Sequence, residues 1–305
     1  MIGVLVAGPL LMFSIDIARV SARFGTPTTV TQTDTKMLAG AVISAARIAH
    51  GGESNLRAVQ SLSAIGSFRE VLQGGIDRSG DLELNFLLPD KYMRIESWTL
   101  GGDVRPVRMI NSLDGEQAWF GSGEGGSDST QIVVAGGSND PQTRAKLEQQ
   151  AQQQLLDRLR SESSRLLLAW LLSPSAAGSP LDFSYVGVAK AEDGEADVID
   201  ARNATGFAAR LFFDKQTHRL LVLSYRGRAP RALALKPGSA GDMNKAVNTS
   251  DSELQLRFGD YRTVSGIQLP HRITYIAEGQ AYQEWQIKTF KVNPSLKPEK
   301  FRRKP

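Results

Sequence analysis

The sequence predicts an α+β fold in which an antiparallel β-sheet packs against helices. Residues 65–134, and again the chain after residue 180, alternate apolar and polar side chains with a period of two, as strands with one buried face do. Turn-rich pieces join these strands, which favours antiparallel pairing because parallel strands need long crossovers. Between the two blocks, residues 141–172 form a helix pattern whose apolar stripe needs a surface to cover.

The amino-acid composition is close to that of an ordinary soluble domain. Of its 305 residues, 41% are hydrophobic and 22% are charged. Cysteine is absent, which excludes disulfides, thiolate metal sites, cysteine nucleophiles and the lipid-modified cysteine of a bacterial lipoprotein.

The net charge of +4 does not indicate a nucleic-acid-binding face. Residues 288–305 hold seven Lys or Arg residues against Glu299, so the remainder of the chain is slightly acidic. We therefore expect no nucleic-acid partner and assign residues 302–305 to a basic tail.

The N-terminal residues predict export. The apolar run of residues 2–15 is shorter than the roughly 20 residues of a membrane-spanning helix but long enough for a secretory core. Small residues at 20–22 suit a cleavage site, so residues 1–22 are a signal peptide or an N-terminal anchor. No Lys or Arg precedes the run, which leaves a retained anchor of residues 1–20 or a buried helix open.

Helices are expected next. Residues 33–52 begin with Thr and Asp at a plausible cap and end at Gly-Gly, and residues 53–62 read as a second short helix leading into the strands. Residues 23–54 are accordingly assigned to an N-terminal helical segment.

The first block of strands reads as a meander. The sequence DRSGD, residues 77–81, predicts a hairpin turn, after which Leu82, Leu84, Phe86 and Leu88 share one face. Further turns are expected at Pro89-Asp90 and at Asp114-Gly115.

The long helix starts at Asn139-Asp140-Pro141, where a capping side chain precedes a proline at the first helical position. A straight helix from there to residue 172 would span about 45 Å, so a break near residues 161–164 is expected. After residue 180 come five further strands, interrupted by residues 227–252, whose Gly, Pro and polar content predicts a mobile loop.

The familiar catalytic and cofactor motifs do not fit. Gly121, Gly123 and Gly126 match G-x-G-x-x-G, but a strand pattern rather than a helix follows them, so a hairpin loop is favoured over a dinucleotide site. The chain lacks Gly-Lys, His-Glu-x-x-His and Gly-x-Ser-x-Gly, and its three histidines fall on separate elements. We expect no catalytic residue, metal or cofactor; an enzyme using His271 with Asp260 or Tyr261 is the weakest alternative.

Five short motifs in order resemble the LolA-like outer-membrane lipoprotein-sorting proteins over residues 55–301. The motifs are Pro89-Asp90-Lys91-Tyr92-x-Arg94, Asp114-Gly115-x-x-x-Trp119, Phe213-Asp214-x-x-Thr217-x-x-Leu220, Asp260-Tyr261-Arg262-x-Val264-x-Gly266-Ile267-x-Leu269-Pro270 and Val292-Asn293-Pro294. The resemblance implies a strongly curved antiparallel sheet, an incomplete β-barrel closed by helices. It also implies an apolar cavity for acyl chains, a periplasmic location and no catalysis.

Strand parity and the helix stripe predict which apolar residues line this cavity. They are Leu84, Phe86, Trp98, Trp119, Leu211, Phe213, Leu223, Tyr225, Ile273 and Trp285 from the strands and Trp170 from the long helix, which would act as a lid. The leading hypothesis is a non-enzymatic binder of acyl chains of lipids or lipoproteins, involved in transport to the outer membrane. The alternative is an envelope sensor or interaction module with a protein partner, anchored by its N-terminal segment.

Overall fold

The computed structural model describes residues 32–72, 76–99, 106–124, 140–176, 178–191, 194–227 and 251–303. Four sequence predictions therefore lie wholly or mostly outside the described residues. They are the N-terminal signal or anchor, the strand expected at residues 129–134, the loop of residues 227–252 and the end of the basic tail.

Three α-helices and fourteen strands make up the described part of the chain. The helices are α1 (Gln32–Ala49), α2 (Glu53–Arg57) and α3 (Pro141–Leu171), with a short 3₁₀ helix at Pro298–Phe301. The strands are β1 (Ser61–Leu72), β2 (Ile76–Leu87), β3 (Lys91–Thr99), β4 (Pro106–Asp114), β5 (Gln117–Glu124), β6 (Ser175–Ala176), β7 (Ser179–Pro180), β8 (Asp182–Ala191), β9 (Gly194–Arg202), β10 (Ala208–Asp214), β11 (Leu220–Gly227), β12 (Ser252–Val264), β13 (Ile267–Ala277) and β14 (Gln280–Val292).

Twelve strands form one open antiparallel sheet in the order β5-β4-β3-β2-β1-β14-β13-β12-β11-β10-β9-β8. The two blocks seen in the sequence are two meanders, and the pairing of β1 with β14, which sets Phe68 opposite Trp285, joins them. The second meander has seven strands, β8 to β14, where the sequence predicted five. The edge strands β5 and β8 do not pair with each other, so the sheet stays open. The predicted α+β fold class, an incomplete antiparallel barrel with helices, is confirmed.

The sheet curls strongly around β1 and β2. Glu96 on β3 and Gln283 on β14 are three strand positions apart, a separation of about 14 Å in a flat sheet. Their side chains nevertheless meet, with Gln283 Nε2 donating to Glu96 Oε1 at 3.3 Å. Both point to the face that α3 covers, which we define as the concave face.

Two glycines permit this tight curl. A Cβ atom on Gly66 would lie 2.1 Å from the backbone oxygen of Gln286, and one on Gly80 would lie 2.0 Å from that of Ser97. Gly66 also lies at a β-bulge, where the register between β1 and β14 shifts. The neighbouring backbones therefore occupy the space that any larger residue would need.

A Gly66→Ala substitution is expected to lower the free energy of unfolding by about 3 kcal/mol or more, because backbone rather than a movable side chain must shift. Gly40→Ala on α1 is the matched control. A Cβ atom there meets nothing within 4 Å, so this change should raise stability by about 0.5–1 kcal/mol. Urea denaturation measures both, and equal effects would contradict the role of Gly66 in the curl.

The turn predicted at residues 77–81 is wrong, because these residues lie inside β2. They pair with β1 from Asp77 opposite Val71 to Asp81 opposite Ser67. The Gly80 that suggested a turn is instead required by the close backbone of Ser97. A glycine can mark either a turn or a close approach, and the sequence does not distinguish these two uses.

Helix α3 is continuous through residues 161–164, so the predicted break is also wrong. Its N-terminus is as predicted, with Asp140 accepting a hydrogen bond from the Thr143 backbone at 2.9 Å and proline at the start. Ser163 and Ser164 are buried, and Ser163 Oγ donates to the Arg160 carbonyl at 3.0 Å. Contact with the sheet therefore holds these weak helix formers in the helix.

Candidate functional site

The concave face gathers ten of the eleven predicted lining residues. Nine of them are buried in one apolar cluster, and Tyr225 is half-buried against it. The nine are Leu84, Phe86, Trp98, Trp170, Leu211, Phe213, Leu223, Ile273 and Trp285. These residues come from both meanders and from α3, so the curl and the helix bring them together.

Trp119 lies on the opposite face and is a correction to the predicted set. On β5 its neighbour Ala118 belongs to the concave cluster, whereas Trp119 packs beside Phe301. The Trp119 indole N–H donates to the Phe301 carbonyl at 2.7 Å. An offset of one residue moves a strand side chain to the other face. Because residue 118 is a small alanine, the sequence gave little indication that it, and not Trp119, lies on the concave face.

Helix α3 lays its apolar stripe on the concave face. Leu156, Leu159, Leu166 and Trp170 on this stripe are all buried. The Trp170 ring stands edge-on between those of Phe86 and Phe290, with centroid distances of 5.4 and 5.2 Å. Trp170 thus occupies the centre of the face that the sequence predicted to hold a ligand.

The side chains themselves fill the space beneath the helix. Trp170, Trp285, Leu84 and Leu223 are each 0% exposed. A side chain bordering a void large enough for water would keep some accessible surface, so protein atoms surround these four on all sides. An acyl chain could contact these four residues only if some of the elements packed on them moved.

A polar cluster fastens the middle of α3 to β3. Glu162 Oε1 accepts a hydrogen bond from the Tyr92 hydroxyl at 2.6 Å and one from Arg94 Nη1 at 2.8 Å. The Arg94 and Glu162 side chains are only 17% and 14% exposed. Glu96, 3% exposed, provides a second carboxylate 3.9 Å from Arg94.

This environment fixes the charge states. Burial acts to lower the pKa of Arg94, but the carboxylates of Glu162 and Glu96 outweigh it and the net shift is upward. Burial, followed by the nearby Glu162, raises the pKa of Tyr92 well above its usual value. Arg94 therefore stays charged and Tyr92 stays a neutral donor at any physiological pH.

The part of α3 that precedes Glu162 is also held by polar contacts at the edge of the sheet. Arg158 donates to the side chain of Asn111 at 2.8 Å, and Arg160 pairs with Glu116 at 2.6 Å. Gln152 donates to the backbone of Ala118. Two kinds of attachment result, an apolar one around Trp170 and a polar one formed by residues 152–162, which precede it in the helix.

His271, Tyr261 and Asp260, the residues of the weakest alternative, an enzyme, each have a hydrogen-bond or ion-pair partner within the fold. His271 Nδ1 is 2.8 Å from the Ile287 carbonyl, and the Tyr261 hydroxyl donates to the Leu220 carbonyl at 2.6 Å. Asp260 pairs with Arg262 at 2.6 Å. His271 lies on the buried face of its strand, and the Asp260–Arg262 stretch forms a hydrogen-bonded corner.

Within the residues that the structure describes, no three His, Asp or Glu side chains are gathered as metal ligands. No helix in the described ranges is long and apolar enough to cross a membrane.

Comparison with known proteins relates the chain to others by structure. No family model matches the sequence, and no curated protein matches it. Among solved structures it is similar to a domain described as an outer membrane lipoprotein-sorting protein from Vibrio parahaemolyticus, with 10% identity, a TM-score of 0.47, and coverage of 87% of this chain and 97% of that one. A LolA superfamily structure is among those it is similar to.

One of these is a LolA superfamily protein from Nitrosomonas europaea, with 8% identity, a TM-score of 0.46, and coverage of 87% of this chain and 97% of that one. A DUF1329 family protein from Desulfovibrio piger gives 9% identity, a TM-score of 0.47 and the same two coverages, 87% and 97%. Likeness at this level concerns the fold, and what those proteins bind is not carried over to this chain.

Proposed function

We propose that this protein binds the acyl chains of a lipid or lipoprotein between the concave face and α3, in the periplasm and without catalysis. The observation that carries the proposal is that α3 lays its apolar stripe on the concave face of an open sheet. Helix α1 joins the same apolar cluster through Ala39, Ile43 and Ala46, so α3 is one of two long helices on this cluster. Such a cover can be replaced, because moving α3 breaks none of the strand pairs that define the fold.

Apolar burial makes the exchange of helix for ligand feasible. Withdrawing the Trp170, Leu166 and Leu159 side chains costs about 1.5–3 kcal/mol each, and Leu156 adds a similar amount. An acyl chain of about sixteen carbons gains about 0.8 kcal/mol per buried CH₂, on the order of 12 kcal/mol. The two totals are similar, so loading and release would both be accessible, as a carrier requires.

The position of the polar contacts supports the same motion. Arg160 and Glu116 are 27% and 89% exposed, and a pair this close to solvent contributes little to stability. Breaking this ion pair therefore costs little. Opening would then proceed towards Trp170, where the apolar attachment is strongest.

The experiment is to tie α3 to the sheet. Since the chain has no cysteine, Glu116→Cys with Arg160→Cys introduces only two thiols, which a cleavable bismaleimide can join across the 2.6 Å ion pair. The linked protein is expected to take up no lipid from phospholipid vesicles, and cleavage of the linker should restore uptake.

The matched control is Arg144→Cys with Glu148→Cys, an exposed pair one turn apart within α3, which the same reagent can join without tying the helix to the sheet. This linked control should load lipid normally. Loading of the Glu116–Arg160 linked protein would show that ligand does not enter beneath α3. Absence of uptake by the unmodified chain would overturn the proposed function.

A further inference from the structure

Several buried hydrogen-bond donors on the concave face, among them the indole N–H groups of Trp98 and Trp170, have no acceptor among the described residues, and three such donors lie close together. They are the Tyr275 hydroxyl, the Trp285 indole N–H and Nε of Arg94, which we together define as the donor patch. Tyr275 is 8% exposed and Trp285 is 0% exposed. Their strands, β13, β14 and β3, belong to both meanders.

The three side chains lie close together. The rings of Tyr275 and Trp285 have a centroid distance of 4.8 Å, and the Arg94 guanidinium lies 5.9 Å from the centre of the Trp285 ring. Burial, followed by the charge of Glu162, raises the pKa of Tyr275 well above its usual value, so its hydroxyl keeps the proton that it can donate.

Nearby acceptors already serve other donors. Glu162 Oε1 accepts from Tyr92 and from Nη1 of Arg94, and Glu96 Oε1 accepts from Gln283. Each unpaired buried donor costs about 1–3 kcal/mol. Phenylalanine at position 275 would fill the same space without this cost. The Tyr275 hydroxyl, on a face made for burial, thus fits a ligand that brings its own acceptors.

We infer that the donor patch binds the carbonyl oxygens of the ester or amide groups that join acyl chains to the rest of a lipid or lipoprotein. The inference rests on the proposed function and names the chemical class that the site selects. The acyl chains would lie beneath α3 where Trp170 now packs, and the linkage would lie beside Arg94, whose side chain is 17% exposed.

Charge favours a neutral acceptor over an anion at this patch. Arg94 faces two carboxylates, Glu162 and Glu96, and carries the only positive charge of the three residues in the patch. A phosphate or free carboxylate placed there would be repelled by Glu96, which belongs to the sheet and stays when α3 moves. An ester or amide carbonyl accepts the same hydrogen bonds without that repulsion.

The test compares two lipids that differ only in the linkage. Dioctanoyl phosphatidylcholine has ester carbonyls, and the dioctyl ether analogue has the same headgroup and chain length without them. By isothermal titration calorimetry the wild-type chain is expected to bind the diester about five- to tenfold more tightly. Tyr275→Phe should lose several-fold in affinity for the diester and should bind the diether as the wild type does.

Tyr185→Phe is the matched control, because it removes a hydroxyl that donates to Asp197 on β9, outside the donor patch. It should keep the preference for the diester. Tyr275→Phe should also unfold at the same or a higher urea concentration than wild type, since its hydroxyl has no described partner to lose. Equal binding of both lipids by the wild type would overturn the inference and leave the proposed function standing. Binding of neither would overturn both.

Discussion

Replacing Trp170 with alanine is expected to lower the free energy of unfolding by about 3–5 kcal/mol and, at the same time, to tighten the binding of acyl chains. The stability loss follows from removing a side chain that is 0% exposed and packed between Phe86 and Phe290. The affinity for acyl chains rises because the indole of the wild type occupies the space that an acyl chain needs. Room for about two more methylenes corresponds to roughly a tenfold lower Kd.

A second large side chain separates this effect from general loosening. Phe301 is also 0% exposed, but it packs on the face opposite α3, in the cluster that includes Met93 and Ile95. Phe301→Ala should destabilise the chain by a similar amount and leave lipid affinity unchanged. Urea denaturation and lipid titration of both variants supply the comparison. If Trp170→Ala bound lipid more weakly than the wild type, Trp170 would be part of the ligand's contacts and not its competitor.

The local part of this fold could be predicted from the sequence. Alternation placed Leu84 and Phe86 on the buried face of β2, and the cap at Asp140 located the start of α3. Both signals depend on residues within one turn or one strand, where the periods of 3.6 and 2 act directly.

What the sequence did not reveal depends on distant parts of the chain. β1 pairs with β14, so Phe68 stands opposite a residue, Trp285, that is remote in sequence, and no local pattern encodes that choice. The use of Gly80 follows from the approach of Ser97, which exists only in the folded sheet. In each case the missing information is which strands lie side by side in the folded sheet.

The candidate site shows the same difference between what local patterns predict and what depends on distant parts of the chain. Its apolar residues follow from parity, with Trp119 misplaced by one position, but the polar cluster does not. Arg94 and Glu162 are 68 positions apart, and Glu162 lies in the SESS stretch that was read as a break in the helix. Whether the concave face is hollow or filled depends on how Trp170 packs between two rings, which is a property of the assembled volume.

Replacing Arg94 with methionine is expected to lower the free energy of unfolding by about 3 kcal/mol. The change leaves the carboxylates of Glu162 and Glu96 facing each other in a largely buried site with no cation between them. The double variant Arg94→Met with Glu162→Gln should recover most of this loss, because the amide oxygen still accepts from Tyr92 and one of the two charges is gone. Urea denaturation of the two single variants and the double variant gives the coupling energy between these positions.

The coupling energy between Arg94 and Glu162 shows whether their ion pair helps the apolar stripe to hold α3 on the sheet. Arg144 and Glu148 form an exposed pair on the same helix, and removing the Arg144 charge by Arg144→Met should change stability by no more than about 0.5 kcal/mol. A coupling of about 2 kcal/mol between Arg94 and Glu162 would mean that polar and apolar attachments act together, so a ligand must break the Glu162 contacts as well as displace Trp170. A coupling as small as that of the exposed pair would contradict this and leave the apolar stripe around Trp170 as what holds the helix on the sheet.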